Sequence, residues 1–239
     1  MTRRWRGARI VSVATSVIQI ETPHGPGRAH VTKVRGARGA VVLGHGAGGG
    51  VTSRDLGAAS QAAVSERFSL VLVEQPYRVA GRRSPAPAAQ LDGAWTAVLE
   101  QLRAGPLSGR PSGRRAAPPA GLPLIAGGRS SGARVACRTA QATRVVACLC
   151  LAFPLHPPGR GEDPSKSRLG ELEAAGVPTL VVQGERDPFG VPPAGDGWTV
   201  VTVPGDHSLR CAGAVRRAVA AWLPGLEALA AAEDRPPGP

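Results

Sequence analysis

Aromatic side chains are almost missing from this 239-residue chain, which has four Trp, three Phe and one Tyr. Val, Leu and Ala must therefore fill most of any core, and little is left to stack on nucleic-acid bases. Lysine is as scarce, with Lys33 and Lys166 alone. The 29 basic residues are nearly all arginine, against 17 acidic ones, for a net charge of +12. Such a charge raises the question of a nucleic-acid partner. The arginines, however, come in scattered pairs (Arg3-Arg4, Arg82-Arg83, Arg114-Arg115, Arg216-Arg217) rather than one tract. No specific nucleic-acid role is expected. No run is long and apolar enough to span a membrane. Met1 to Arg6 has the charge of a signal peptide, but Ser12, Thr15, Ser16 and Gln19 interrupt the apolar segment that follows, and no Ala-x-Ala site comes after it. A cleaved signal is not expected. Cysteine is limited to Cys137, Cys148, Cys150 and Cys211. None has partners at zinc-ligand spacing, so buried free thiols, no metal and a reducing, cytoplasmic setting are expected.

What is present is 42% hydrophobic residues, enough for a sizeable core, and a length that suits one domain. That domain is expected over residues 1–230, with a polar, Pro-rich tail at 231–239. Val17 to Thr22 and Arg28 to Val34 alternate apolar with polar residues around a turn cluster, as an antiparallel hairpin does. Gly39 to Leu43, Ser69 to Glu74, Leu122 to Ala126, Val145 to Leu151, Val177 to Gln183 and Trp198 to Val203 read as further strands, mostly wholly apolar ones. Helical patterns separate them at Asp55 to Phe68, Ala88 to Arg103, Ala133 to Ala140, Lys166 to Ala175 and Arg210 to Ala230. Gln75 to Pro87 and Gly105 to Pro119 read as loops, the second as a flexible one. This alternation predicts an α/β fold with a mostly parallel, doubly wound sheet behind an N-terminal hairpin. In such sheets the ligand site lies beyond the C-terminal strand ends.

One of those ends carries Gly128-Arg129-Ser130-Ser131-Gly132. A G-x-S-x-G string between a strand and a helix is the context of a nucleophilic serine on a sharp turn. Residues two before and two after the serine crowd that turn, and Gly128 and Gly132 meet the need. A hydroxyl needs a base, and the base needs a carboxylate to hold its tautomer. His207, after the last strand, and Asp187, after the strand before it, are the candidates. Asp206 and Asp196 are rivals to Asp187, which is preferred because it stands one strand earlier, within reach of a His on the neighbouring loop. The chain order Ser, Asp, His is the one used by the α/β-hydrolase fold.

Charge that develops on an attacked carbonyl needs donors. The expected ones are the Ser131 amide and an amide of the loop His45-Gly46-Ala47-Gly48-Gly49, with Ala47 first and Gly48 second. His45, Gly48, His156 and Arg160 are candidate substrate contacts, Arg160 for an anionic group. The same loop also matches G-x-G-x-x-G, with Glu74 where a ribose-binding acid would stand. A hairpin before the loop and the unexplained Ser130, Asp187 and His207 weigh against a dinucleotide enzyme.

Taken together, His45–Gly49, Gly127–Ala136, Phe153–Arg160, Gln183–Gly190 and Gly205–Ser208 resemble the small α/β-hydrolases described as dienelactone-hydrolase-like. The resemblance covers about residues 15–225. It implies an α/β-hydrolase fold without a large cap domain and the triad Ser130, Asp187, His207. Elbows of that family often read G-x-S-M-G-G. Here Ser131 and Ala133 stand for Met and Gly, which changes the pocket wall but keeps the nucleophile. The expectation is a serine hydrolase acting on an ester or related acyl bond of a small molecule, without a cofactor. The alternative is a non-catalytic interaction module that kept the fold.

Overall fold

The computed structural model describes residues 13–105, 107, 122–161 and 163–226. Eight strands form one sheet: β1 (Val13–Ile20), β2 (Gly27–Val34), β3 (Ala40–Gly44), β4 (Ser69–Glu74), β5 (Leu124–Arg129), β6 (Ala147–Leu151), β7 (Thr179–Gly184) and β8 (Trp198–Val203). Their order is β1-β2-β4-β3-β5-β6-β7-β8. The β1–β2 and β2–β4 pairings are antiparallel and all the others are parallel. The predicted fold class is the one found. The hairpin starts earlier than its alternation suggested, at Val13.

The central strands are wholly buried because both faces are covered. Val42, Ala126, Cys148, Cys150 and Val181 face one side. There they pack with Leu91, Trp95, Val98 and Leu99 of α3 (Ala88–Ala104) and Ala133, Ala136 and Cys137 of α4 (Ser131–Thr139). Val41, Leu43, Ile125, Leu149 and Val182 face the other side. They meet Leu56, Ala59 and Ala63 of α1 (Arg54–Ser65) and Val215 and Val219 of α6 (Ala212–Trp222). The period-2 alternation thus sorts residues between two apolar layers rather than between core and water. Small alanines on α1 and α4 let the helices approach, which suits a chain with so few aromatics.

Three elements differ from the sequence expectation. The loop after β4 contains a single helical turn, α2 (Pro76–Val79), with Pro76 at its first position, where a missing N–H is harmless. The helix expected over Lys166 to Ala175 divides into a 3-10 turn at Pro164–Lys166 and α5 (Leu169–Glu173), because Ser167 is extended between them. The closing helix stops at Trp222 and tightens into a 3-10 turn, Leu223–Leu226, around Pro224. Residues 227–230, the tail 231–239 and most of the loop expected at 105–119 lie outside the described residues.

Candidate active site

Strand β5 ends in the turn that the glycine spacing predicts. Ser130 has φ 52° and ψ −110°, a conformation costly for a residue with a Cβ, and it caps the start of α4. The turn is held by the Ser130 N–H, which donates to the Leu151 carbonyl at 2.9 Å. The flanking glycines are required by a neighbour as well as by the turn. A Cβ on Gly132 would lie 2.6 Å from the Gly44 carbonyl oxygen, and one on Gly128 would overlap the same oxygen. The end of β3 therefore presses directly against both sides of the elbow.

His207 arrives from the loop after β8. Its Nε2 lies 3.0 Å from Ser130 Oγ, and its Nδ1 lies 2.8 Å from Asp187 Oδ2. Asp187, in the loop after β7, is buried, and every contact on its carboxylate is a donor. Oδ2 also accepts from Gln183 Nε2 at 2.8 Å, and Oδ1 accepts the Phe189 N–H at 2.9 Å. The Phe189 ring stands edge-on to His207, with centroids 4.4 Å apart. Asp206 is turned away, because its Oδ1 accepts the Ser208 N–H at 2.8 Å. That bond holds the Asp206 carboxyl below the usual range. It is Asp187, not Asp196, that makes the contact with the imidazole.

The loop after β3 passes beside the elbow. Ala47 is exposed there, and Ser131 opens α4, where first-turn amides have no partner within the helix. The Gly48 backbone meets the Tyr77 hydroxyl instead. His45 requires a correction as a substrate contact. It is buried, its Nδ1 lies 2.9 Å from the Gly46 carbonyl, and its Nε2 accepts the Gln75 N–H at 3.1 Å. Burial pushes its pKa down, and a neutral ring with both nitrogens engaged by backbone staples two loops together. His156 lies in the loop after β6, where its N–H donates to the Phe189 carbonyl. It makes no hydrogen bond to Ser130, His207 or Asp187. Arg160 is exposed and borders a separate depression with Gly159, Gly161 and Asp163. The structure does not bring it to Ser130. Glu74 is also engaged elsewhere, with Arg28 at 3.0 Å and His30 at 3.1 Å. Burial raises its pKa, but these partners together hold it below the usual value. Moreover, α1 starts five residues after Gly49 rather than directly on the glycines, so the loop lacks the dinucleotide-binding geometry.

Sequence reasoning missed two residues. Arg129 was a spacer in the motif. Its Nε lies 2.9 Å from Oδ2 of the fully buried Asp55, an ion pair not aligned well enough to count as a hydrogen bond. Its Nη2 donates to the His207 carbonyl at 3.0 Å. One guanidinium thus links α1, the elbow and the His207 loop. Gln183, at the end of β7, donates from Nε2 to Asp187 and to the carbonyls of Phe153 and Gly190. Only the Arg beside a motif serine and the Gln four before an Asp were visible in sequence, and neither spacing is diagnostic. Among the described residues no cluster of three or more His, Cys, Asp or Glu is arranged to hold a metal. No helix among them is long and apolar enough to cross a membrane.

A serine on a strained strand-to-helix turn, met by a His and an acid from the loops after the last two parallel strands, marks one class of fold. The chain belongs to the α/β-hydrolase family, since the family profile described as an alpha/beta hydrolase domain matches residues 37–213. Among solved structures it is similar to XC6422 from Xanthomonas campestris, described as an α/β serine hydrolase without lid. The identity is 21%, the TM-score 0.61, and the match covers 88% of this chain and 95% of that one. Est1E from Butyrivibrio proteoclasticus matches at 13% identity and TM-score 0.66, over 89% of this chain and 99% of that one. A dienelactone hydrolase from Anabaena variabilis matches at 14% and 0.63, over 89% and 98%. At these identities the likeness is one of fold. A search of the curated proteins gives no match.

Proposed function

We propose that the protein is a serine hydrolase that cleaves an ester or related acyl bond of a small or medium molecule. The observation that carries this reading is the continuous chain Ser130 Oγ–His207–Asp187, with links of 3.0 and 2.8 Å. Ser130 Oγ attacks the acyl carbon while His207 Nε2 takes its proton. Asp187, accepting from Nδ1–H, keeps Nε2 free of hydrogen before the attack and offsets the imidazolium charge after it. The Ser131 and Ala47 amides donate to the oxyanion. His207 then returns the proton to the departing alkoxide. Water repeats the sequence on the acyl-enzyme and releases the acid.

A non-catalytic module would be favoured by a shielded Ser130 or a broken Asp187–His207 contact. Ser130 is only partly buried and that contact is 2.8 Å. The test is labelling with a fluorophosphonate. Wild type is expected to label and Ser130→Ala not to. Equal labelling of the two, or none in either, refutes the assignment. Turnover of 4-nitrophenyl esters of graded chain length then sizes the acyl pocket, and the matching 4-nitroanilides separate esterase from amidase activity.

A further inference from the structure

A cavity of about 620 Å³ opens between the start of α1 and the loop that carries His207. Gly49, Arg54, Asp55, Arg129, Ser208 and Arg210 line it. Three of these are arginines and one is an acid. The Asp55 carboxylate is already engaged, with Arg129 Nε at 2.9 Å and the Leu56 N–H at 2.9 Å. Arg54 and Arg210 are exposed and have no ion-pair partner among the described residues. Asp206 is close enough to feel the charge of Arg210, but it turns its Oδ1 to the Ser208 N–H. The Ser53 hydroxyl, which also borders the cavity, is buried without a partner and does not cap α1. The cavity wall therefore carries excess positive charge and unused donors, with α1 adding the positive end of its dipole.

The cavity wall reaches the elbow through Arg129: a Cβ on Gly46 would lie 2.9 Å from Arg129 Nη1 and 3.4 Å from Ser130 Cβ. Arg129 precedes Ser130, Ser208 follows His207, and Gly49 closes the loop that offers the Ala47 amide. The Arg54 and Arg210 guanidinium groups border this one cavity without an acidic partner, and their chemistry suits a carboxylate or phosphate.

We propose that this cavity binds an anionic group, carboxylate or phosphate, carried by the molecule whose acyl bond Ser130 attacks, so that the enzyme selects anionic over neutral esters. The inference rests on the serine-hydrolase reading above, and its test separates the two.

The full chain is assayed with two pairs of probes, each differing by one carboxylate. 4-Nitrophenyl butyrate is paired with mono-4-nitrophenyl succinate, which places the charge on the acyl side. Methyl 4-acetoxybenzoate is paired with 4-acetoxybenzoate, which places it on the leaving group. In at least one pair wild type is expected to favour the anion. Arg54→Gln and Arg210→Gln are each expected to lower the anionic-to-neutral ratio of kcat/KM by about ten- to a hundredfold, the loss of one charge-assisted hydrogen bond. Arg216→Gln removes the same charge from an exposed position on α6 and is expected to leave the ratio as it is. A ratio unmoved by Arg54→Gln and Arg210→Gln in both pairs overturns the proposal. So does an equal fall in Arg216→Gln, which would indicate steering by net charge. Fluorophosphonate labelling of Ser130 reports separately on the nucleophile, so an unmoved ratio with labelling intact condemns the anion site alone. Calorimetry with inorganic phosphate reads the cavity without turnover. Phosphate binding lost in both arginine variants, with no discrimination among esters, would mean a site for a free anion and would overturn the substrate assignment. No phosphate binding and no discrimination would overturn the site itself.

Discussion

Asp187→Asn is the most informative single substitution, because the structure fixes what the new amide must do. In wild type Oδ2 accepts from His207 Nδ1 and Gln183 Nε2, and Oδ1 accepts the Phe189 N–H. An Asn has two possible orientations. With its NH2 toward the Phe189 amide, two donors face each other and the backbone cannot move. With its NH2 toward His207 and Gln183, Oδ1 keeps the Phe189 bond. Gln183 Nε2 then faces a donor and loses one acceptor, but its two hydrogens keep the Phe153 and Gly190 carbonyls at 3.0 and 2.9 Å, and a side chain, unlike the backbone, can shift. The second orientation leaves the smaller deficit, given that a buried unpaired donor costs about 1–3 kcal/mol. It requires His207 to accept at Nδ1, which puts the hydrogen on Nε2, facing Ser130. That tautomer cannot take the serine proton. The expected loss in kcat is about 10³–10⁴-fold, or roughly 4–5.5 kcal/mol of barrier. Stability should fall by no more than about 1–3 kcal/mol. The assay is hydrolysis of a 4-nitrophenyl ester alongside urea unfolding of the same sample. A folded Asp187→Asn protein within tenfold of wild-type kcat would refute the role given to Asp187 and, with it, the tautomer argument.

Gly132→Ala places a methyl 2.6 Å from the Gly44 carbonyl. Overpacking of this kind against backbone should cost about 1–3 kcal/mol or more, read as a fall in urea midpoint together with loss of fluorophosphonate labelling. Arg129→Met leaves the fully buried Asp55 without its ion pair. It is expected to destabilise by about 3 kcal/mol, at the low end for buried pairs because Arg129 keeps some contact with water. Asp55→Ala should cost less, since the arginine it strands can be hydrated. Equal costs in chemical denaturation would argue against that ordering. For His45 the sign follows from burial, which lowers its folded-state pKa below the unfolded value near 6.5. The unfolded chain then binds the extra proton first. His45's contribution is complete above pH 6.5 and is lost as pH falls through the depressed native value. Thermal midpoints measured from pH 7.5 down to 5 should show this decline, and a flat profile would contradict it.

The fold was legible because the parallel strands announce themselves as short, wholly apolar runs. Val42 and Leu43 are both buried, one under each helical layer, and a run with no polar residue states that condition directly. Boundaries were less legible where backbone chemistry outweighs side-chain pattern. Pro76 opens a helical turn inside a segment whose Pro and Arg content reads as loop. Ser167 is extended, so the helix begins only at Leu169, and the polar run before it gives no side-chain signal for that start.

The site divides along a similar line. The meeting of Ser130, His207 and Asp187 was legible because each stands just beyond a strand, and strand order brings those ends together in one place. The residues that hold them were not. His45 read as a polar side chain at the site mouth, yet it is buried between two backbone segments. Arg129 fills an unspecified position of the G-x-S-x-G string, yet it grips the His207 loop. Motif spacing records which positions must lack a side chain, as the approach of the Gly44 carbonyl to Gly128 and Gly132 makes plain. It carries no record of where a long side chain at a permissive position will reach. That depends on loops far away in sequence, here 78 residues for Arg129 and His207. On the function proposed above, specificity should lie in those permissive positions. The elbow glycines are constrained by the fold itself, whereas the residue between Gly128 and Ser130 is free to choose its partners.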